Sequence, residues 1–586
     1  MCGFYGTNQI SRFSLGDAQE IEADRLMALR GPDDCQVFQK KNIFLKHFRL
    51  ITRGSSDKGK QPFIGQRYIL LFNGNIINSS ALAKKYFIDD SESDTEVLSN
   101  LIEKHGIKII AELNGFFAIV IFDTLYNEWT LTRDRLGIKP LFFSAELDSL
   151  SFASRADVLA KLLQKNINKE KLLTTLKYGS VFINETIYNN VEQVPPGEIL
   201  RWKSNQSIKK EKYWCIDDLL SMKKEKNNQE EIDYLIKNSV ELNLITTRNC
   251  GILFSGGVDS LAITLAYKNI MNNNQSLFGF NITNFQSDEI MRLGNELFLN
   301  NYFSNSPSED KNYGNKVFDL PFDDTSSNLC LQIYKQATTK VAVCLTGDGA
   351  DEIFGGYSCF RNLSRLNIDN KILKTLKEFV LNEKFIDKTS INNRRFIQLF
   401  LPLDKLLDSL ISNCFKEWEI IPLLNLKGKE IIRSRIKEFN LDDHCFVEDK
   451  IKKLFLKQKL PNQMFYKVDR SSMYYGIESR PPLVENNILD YALKRSLKEN
   501  DFKSKEAIKS YNIMMSNNNE IIKRLMRGKK TGFGCPSSFL RNPLKKEINA
   551  VAEYLSEFLD YDNFINHQWT NKRQSQMIKS IYNLIF

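Results

Sequence analysis

Cys2 follows the initiator methionine, and its small side chain permits removal of that methionine. The chain would then begin with a thiol and a free α-amine on one residue. An α-amine titrates near about 7.7–8.0, so it can act as general base for the adjacent thiol. A nucleophile of this kind needs groups around it, and the N-terminal third supplies candidates. Asn73-Gly74 offers a side-chain amide and a backbone N–H, the two donors of an oxyanion hole. Arg49, in His47-Phe48-Arg49-Leu50, offers a guanidinium able to clamp a carboxylate bidentately. Asp94, in Ser93-Asp94-Thr95-Glu96, offers a carboxylate for an ammonium, and Arg30-Gly31-Pro32-Asp33-Asp34 is a turn carrying charge. Singly, each has an ordinary alternative: a surface ion pair, a hairpin turn, or a helix N-cap with an acid in the first turn.

A second set lies further on. Ser255-Gly256-Gly257-Val258-Asp259-Ser260 follows the apolar stretch Gly251-Ile252-Leu253-Phe254 and opens a helical pattern. Glycines let backbone N–H groups approach phosphate, and a helix N-terminus favours negative charge. The hydroxyls of Ser255 and Ser260 can donate to phosphate oxygens, and Asp259 can reach Mg²⁺, which prefers oxygen ligands. The pattern is not the GxxxxGK[ST] loop. The ordinary alternative is a Gly-rich turn with a Ser cap. A second acidic, Gly-rich segment, Gly347-Asp348-Gly349-Ala350-Asp351-Glu352-Ile353-Phe354-Gly355-Gly356-Tyr357, ends another apolar run, Val341–Leu345.

The elements that must position these residues can be read coarsely. Residues 1–210 are β-rich: Ile69–Phe72 reads as a strand ending in a turn at Asn73-Gly74. Phe116–Phe122 and Trp129–Arg133 read as a hairpin. From about residue 231 the repeat of strand, Gly-rich turn and helix is that of an α/β parallel sheet. The polar stretch Asp217–Glu231 reads as a linker or an exposed helix start, and beyond about Leu363 the pattern turns helical and basic.

Composition bounds the possibilities. The chain has 586 residues, 42% hydrophobic and 26% charged, enough to bury large cores. Lys+Arg number 81 against Asp+Glu 71, a formal charge of +10 that is dispersed and does not demand nucleic acid. The four histidines form no HxxxH or HxH pair, and the ten cysteines form no CxxC. No run of about 20 apolar residues occurs and the N-terminus lacks signal-peptide character, so a cytoplasmic chain with reduced thiols is expected.

Taken together, Cys2-Gly3, Arg30–Asp34, His47–Leu50, Gly59–Pro62, Phe72–Gly74, Ser93–Glu96, Leu113–Ala118 and Arg133–Leu141 resemble, in order, the glutaminase domain of glutamine-hydrolysing asparagine synthetases, within the class II glutamine amidotransferases. SGGVDS resembles the pyrophosphate loop of ATP pyrophosphatases, and Gly347–Tyr357, Val468–Met473, Ile477–Leu483 and Arg524–Pro536 resemble later segments of the same synthetases. Ser287-Asp288-Glu289 and Asp319–Asp324 look like the family's two intervening acidic segments.

The resemblance implies an αββα N-terminal-nucleophile sandwich over 2–212, a linker at 213–230 and an ATP-pyrophosphatase domain over 231–545 with a helical C-terminal part. Residues 546–586 form a tail of unassigned role. It implies that Cys2 attacks the glutamine amide and releases ammonia, Asn73 and Gly74 stabilise the oxyanion, and Arg49, Asn75 and Asp94 bind glutamine. Leu253, Ser255, Gly256, Gly257, Asp259, Ser260, Gly347 and Asp348 would bind ATP, Asp259 and Asp351 would hold Mg²⁺, and Glu352 would face the acyl-adenylate or acceptor. Lys530, with Lys529 as close competitor, would offset charge at the α-phosphate. The sequence departs from the family at Asn75 and Glu485, where Glu and Asp are usual, at Leu29, and at Arg53-Gly54.

The chemistry implied is glutamine-dependent, ATP-consuming amidation. A carboxylate accepts AMP to give a mixed anhydride; ammonia attacks and leaves an amide, AMP and pyrophosphate. Aspartate is the default acceptor, with a sugar uronate of a surface polysaccharide or a peptide carboxylate as the alternative. Because ammonia is largely protonated in neutral water, a sheltered passage between the halves is expected. No nucleic acid and no membrane span are expected, and a homodimer is possible.

Overall fold

The computed structural model describes residues 2–586 apart from 55–56, 224, 272–276, 283–287, 300, 309–316, 358–402, 438–446, 496–504, 518 and 528–540. Two six-stranded antiparallel sheets occupy the N-terminal part. One runs, edge to edge, through Glu192–Gln193, Phe142–Ala145, Leu150–Ala153, Cys2–Thr7, Ile43–Arg49 and Asp34–Lys40. The other runs through Lys209–Lys212, Glu198–Trp202, Glu128–Arg133, Gly115–Asp123, Tyr68–Ile76 and Phe63–Ile64.

The two-residue period of a strand explains the layering. In Tyr68–Ile76, Ile69 and Leu71 join Phe4, Leu45, Val120 and Phe152 in the core between the sheets. Tyr68, Leu70, Phe72 and Ile76 face the other way, onto the helices Ser79–Lys85 and Asp94–His105. On the outer side of the first sheet, Tyr5, Phe44 and Phe48 pack with the helices Ala18–Arg30, Ala156–Leu162 and Lys169–Tyr178. Helix, sheet, sheet and helix are thus stacked as αββα. Strands covered on both faces read as unbroken apolar runs, which is why Phe116–Phe122 carries no alternation.

The reading of Asn73-Gly74 as a turn is corrected. Both lie inside the strand Tyr68–Ile76, paired with Ala118 and Phe117. Gly74 answers a close approach instead of a reversal: a Cβ there would sit 2.0 Å from the Phe116 carbonyl oxygen.

The second part holds a five-stranded sheet, all parallel, in the order Tyr302–Asn305, Phe278–Ile282, Cys250–Leu253, Val343–Leu345 and Glu478–Arg480. Ile252 and Leu345 pack toward the helices Gln229–Asn243, Val258–Ile270 and Glu506–Met515. Phe280, Ile282 and Cys344 pack toward Ser327–Ala337 and Phe465–Tyr474. Residues 546–586 are folded into the helices Lys545–Tyr554, Tyr561–Ile565 and Lys572–Ile585, whose apolar side chains join the same core as Tyr5 and Leu172. All cysteines among the described residues are free thiols. No helix among them is long and apolar enough to cross a membrane.

The halves meet through buried charge. Arg30 donates to both carboxylate oxygens of Asp469, at 2.8 and 3.1 Å, and its Nε donates to the Cys2 carbonyl at 3.3 Å. Asp469 also accepts from Arg470 at 2.7 Å, and Arg470 clamps Asp319 at 2.6 and 3.0 Å. The flanking cations hold the Asp469 carboxyl well below the usual carboxylate range despite its burial. Its ionised form therefore stabilises the fold above the unfolded-state carboxylate range near pH ~4, and that stability is lost on acidification below it. Breaking a buried pair from one side leaves the other charge uncompensated. Asp469→Asn should lower unfolding stability by about 3–5 kcal/mol at neutral pH, with a smaller difference from the parent at pH ~3, checked by denaturant titration at both pH values.

Candidate functional sites

Strand parity assembles the first site. Cys2 shares its face with Phe4, Arg49 and His47 share theirs with Leu45, and Asn73 and Asn75 share theirs with Ile69 and Leu71; all face the space between the sheets. Cys2 pairs in register with Arg49. The Cys2 backbone nitrogen donates to Asn73 Oδ1 at 2.9 Å. That bond fixes the amide so that Asn73 Nδ2, fully buried, keeps its protons for another acceptor, and it has no partner among the described residues. Both polar atoms of the Asn75 amide are likewise buried and unpartnered among the described residues. Buried polar groups are ordinarily hydrogen-bonded. The Asn73 and Asn75 amides thus leave donors and an acceptor open to a polar ligand beside the thiol.

Burial pushes the Cys2 thiol pKa up, opposed by the Arg49 guanidinium and a hydrogen bond from the Leu50 backbone. The thiol therefore needs an adjacent base to become a nucleophile, which is what an N-terminal amine provides. His47 is not that base: burial lowers its pKa to about 3, and its Nε2 faces the Phe72 carbonyl at 3.3 Å.

Arg49 extends over Gly59, where a Cβ would lie 2.0 Å from its Nη2, with Ser93 Oγ close by. Asp94 opens the helix Asp94–His105 and accepts the Ile76 N–H at 3.0 Å. Burial raises its pKa, against the Arg53 guanidinium and that N–H. Arg53 itself donates to the Ile76 carbonyl at 3.2 Å, so it and Asp94 dock on the same residue. Cys2, Arg49, Asn73, Gly74, Asn75 and Asp94 thus lie on neighbouring strands and the helix start beside them.

The second set gathers at the C-terminal ends of two adjacent parallel strands, the usual ligand side of such sheets. After Cys250–Leu253 the loop turns at Gly256, with φ +72°, and enters the helix Val258–Ile270 at Gly257. Ser255 Oγ and Ser260 Oγ lie 3.2 Å apart, and Gly257 N–H donates to Ser255 Oγ at 3.3 Å. After Val343–Leu345, Gly347 passes so near Asp259 that a Cβ would lie 2.7 Å from the Asp259 Cβ. This brings Leu253, Ser255, Gly256, Gly257, Asp259, Ser260, Gly347, Asp348, Asp351 and Glu352 to one end of the sheet. Glu352 is buried, its pKa raised by burial, and it accepts from the Tyr357 hydroxyl. Lys530 and Lys529 lie outside the described residues, as does Ser287.

Lys505 escaped the sequence reading, since Lys505-Glu506 belongs to no motif quoted for the site. Its ammonium bridges Asp259 and Asp351, the latter at 2.5 Å. Two carboxylates converging on one cation form a donor set suited to a divalent ion, so the residues expected to hold Mg²⁺ fit it. Lys139 lies in the quoted segment Arg133–Leu141, but no role was assigned to it. It is fully buried, its pKa lowered by burial to about 8, with its Nζ 3.9 Å from Asp469. With Ile138 it lines a small cavity completed by Thr346, Asp348, Phe465, Val468, Asp469, Ser479 and Pro481 from the other half. Long-range pairing of this kind leaves no local pattern in a sequence.

Glu485 faces neither site. It caps the helix Asn486–Leu493, accepting the Asn487 and Ile488 N–H groups at 3.1 and 3.4 Å, and takes the Asn114 amide from the N-terminal half.

Residues 1–214 match the family model described as a glutamine amidotransferase domain, and residues 312–568 that described as asparagine synthase. The combination defines an ATP-dependent, glutamine-hydrolysing ligase. The chain is 24% identical over 593 positions to asparagine synthetase [glutamine-hydrolyzing] 1 of Bacillus subtilis, covering 97% of this chain and 92% of that one. It is 26% identical to a putative asparagine synthetase [glutamine-hydrolyzing] 2 of Methanocaldococcus jannaschii, over 81% and 98% of the two chains. It is 26% identical to asparagine synthetase B of Escherichia coli over 61% and 65%. The chain belongs to the glutamine-hydrolysing asparagine synthetase family, and its chemistry is glutamine-dependent amidation driven by ATP.

The Gly59 contact gives a direct check on the pocket. Gly59→Ala would press a methyl group into the Arg49 guanidinium. The KM for glutamine should rise about tenfold or more, while activity with ammonium as nitrogen donor stays within about twofold, read by steady-state kinetics with each donor.

Proposed function

We propose that this chain converts aspartate to asparagine, with residues 2–212 hydrolysing glutamine and residues 231–545 adenylating the acceptor. The observation that carries the coupling is the Ile138–Pro481 cavity. It touches Asp348 of the nucleotide loop on one side and Asp469, the partner of Arg30, on the other. Arg30 in turn holds the carbonyl of the nucleophile residue.

Within the first half, Cys2 attacks the glutamine carboxamide after giving its proton to the mature α-amine. Asn73 Nδ2 and Gly74 N–H take up the developing oxyanion. Arg49 binds the glutamine carboxylate, and Asp94 with the Asn75 carbonyl binds its ammonium. Because Asn75 brings no charge and Arg53 stands beside Asp94, glutamine binding here rests more on Arg49 than on its ammonium contacts.

In the second half, Ser255, Gly256, Gly257 and Ser260 cradle phosphate, with Leu253, Gly347 and Asp348 completing the nucleotide site. Mg²⁺ held by Asp259 and Asp351 would screen phosphate charge and assist pyrophosphate departure. Lys505, lying between those carboxylates, and Lys530 add positive charge for the same anions. Glu352 faces the acyl-adenylate.

The test measures AMP and asparagine formation from Mg-ATP and glutamine, with and without aspartate. Aspartate-dependent AMP release with one asparagine per AMP is expected. Glutamine hydrolysis with no response to aspartate would overturn the acceptor assignment and direct a screen of uronates and peptides. Asn73→Ala should lower glutamine-dependent kcat about 10²–10³-fold. Cys2→Ala should abolish it, and both variants should retain ammonium-dependent synthesis.

A further inference from the structure

The helix Lys572–Ile585 lies wholly beyond residue 568, where the family match ends. Its apolar face, Met577, Ile578 and Ile581, is enough to dock it on the core. It also makes polar contacts that docking does not require. The half-exposed Arg573 guanidinium reaches the buried Asp323 carboxylate at 3.4 Å. Two turns on, Ser580 Oγ accepts the Phe322 N–H at 3.0 Å. The helix thus grips two successive residues of the acidic segment 319–324 from outside.

That segment leads inward. Asp323 is tied through its N–H to the Gly179 carbonyl at 3.1 Å. Burial pushes its carboxyl pKa up to about 7, and Arg573 opposes that shift. Asp324 points the other way. Its Oδ1 accepts from Ser326 N and Oγ at 2.7 and 2.6 Å, and its Oδ2 takes the Lys467 ammonium at 3.1 Å. Lys467 stands on the helix Phe465–Tyr474, whose Phe465, Val468 and Asp469 line the same small cavity as Asp348. Asp348 belongs to the loop beside Asp259. Hydrogen bonds, the chain link from Asp323 to Asp324 and a shared cavity wall therefore connect the last helix of the chain to the Gly347–Asp348 loop.

We propose that the helix Lys572–Ile585 is a positioning element of the synthetase site. Through Arg573 and Ser580 it fixes residues 319–324, and through the Asp324–Lys467 pair it sets the helix Phe465–Tyr474, whose Phe465 and Val468 line the cavity that Asp348 also lines. The consequence for catalysis rests on the function proposed above; the positioning itself does not.

The test uses the full-length protein and hydrogen–deuterium exchange of Arg573→Ala, Arg573→Lys and Ser580→Ala, each first checked for a parent-like thermal midpoint. In Arg573→Ala, amides of 319–327 and 345–350 should exchange about threefold faster or more, and those of Cys2–Arg49 should be unchanged. Arg573→Lys should restore most of the protection. Ser580→Ala, which removes one acceptor only, keeps the test open should Arg573→Ala fold poorly, and should loosen the same two segments to a smaller degree. With ammonium as donor, acceptor-dependent AMP formation in Arg573→Ala should fall about tenfold, with glutamine hydrolysis at the parent rate. Loosening confined to 319–327 and the tail, or spread evenly over the chain, would overturn the proposal. If the parent forms no AMP with any carboxylate, the proposed function fails, while the exchange data still decide the positioning.

Discussion

The ion pair between Arg30 and Asp469 is the contact on which the rest of the molecule depends. Two charges taken out of water are stabilising only when geometry and further hydrogen bonds offset their lost hydration. Here the carboxylate is held by Arg30 from one half and Arg470 from the other, with Lys139 nearby. Arg470 continues the chain of charges to Asp319, and Arg155 donates to the Val317 carbonyl at 3.1 Å. An apolar seam of the same area would hold the halves together as well. A directional seam also fixes where the Cys2 carbonyl lies relative to the Gly347–Asp348 loop, because Arg30 binds the one and the helix bearing Asp469 flanks the other.

The departures from the family pattern have separate explanations. Glu485 is a helix cap and a domain contact, so its extra methylene bears on the seam and not on the acceptor. Asn75 is different, since it lies in the pocket itself with both amide atoms unsatisfied. Arg53 adds a cation beside Asp94, so the surroundings of that carboxylate carry less negative character than its own charge would give.

Much of this was legible in the sequence because it is local. The apolar runs marked the core strands, and SGGVDS marked a strand-to-helix Gly-rich turn whose position at the sheet end follows from parallel topology. Asn73-Gly74 misled for a local reason too. The dipeptide favours a turn, but a glycine is also required where backbone passes over backbone, and tertiary pairing with Phe117 decided between the two. Lys505 and Arg573 were not legible, and Lys139 was legible only as part of the segment Arg133–Leu141, without its partner. The meaning of each comes from a carboxylate far away in the chain: Asp259, Asp323 and Asp469 for Lys505, Arg573 and Lys139. No periodicity or spacing encodes such pairs.

The central claim is that the two halves act as one body and hand nitrogen across a buried seam. The most direct measurement is isotopic. Glutamine labelled with ¹⁵N in the side-chain amide is supplied together with excess unlabelled ammonium, and the amide of the product is read by mass spectrometry. Product that keeps the glutamine label far above the bulk ratio would support transfer within the molecule. Product labelled only in proportion to the mixed ammonium pool would contradict it, and the buried seam would then be a structural joint alone.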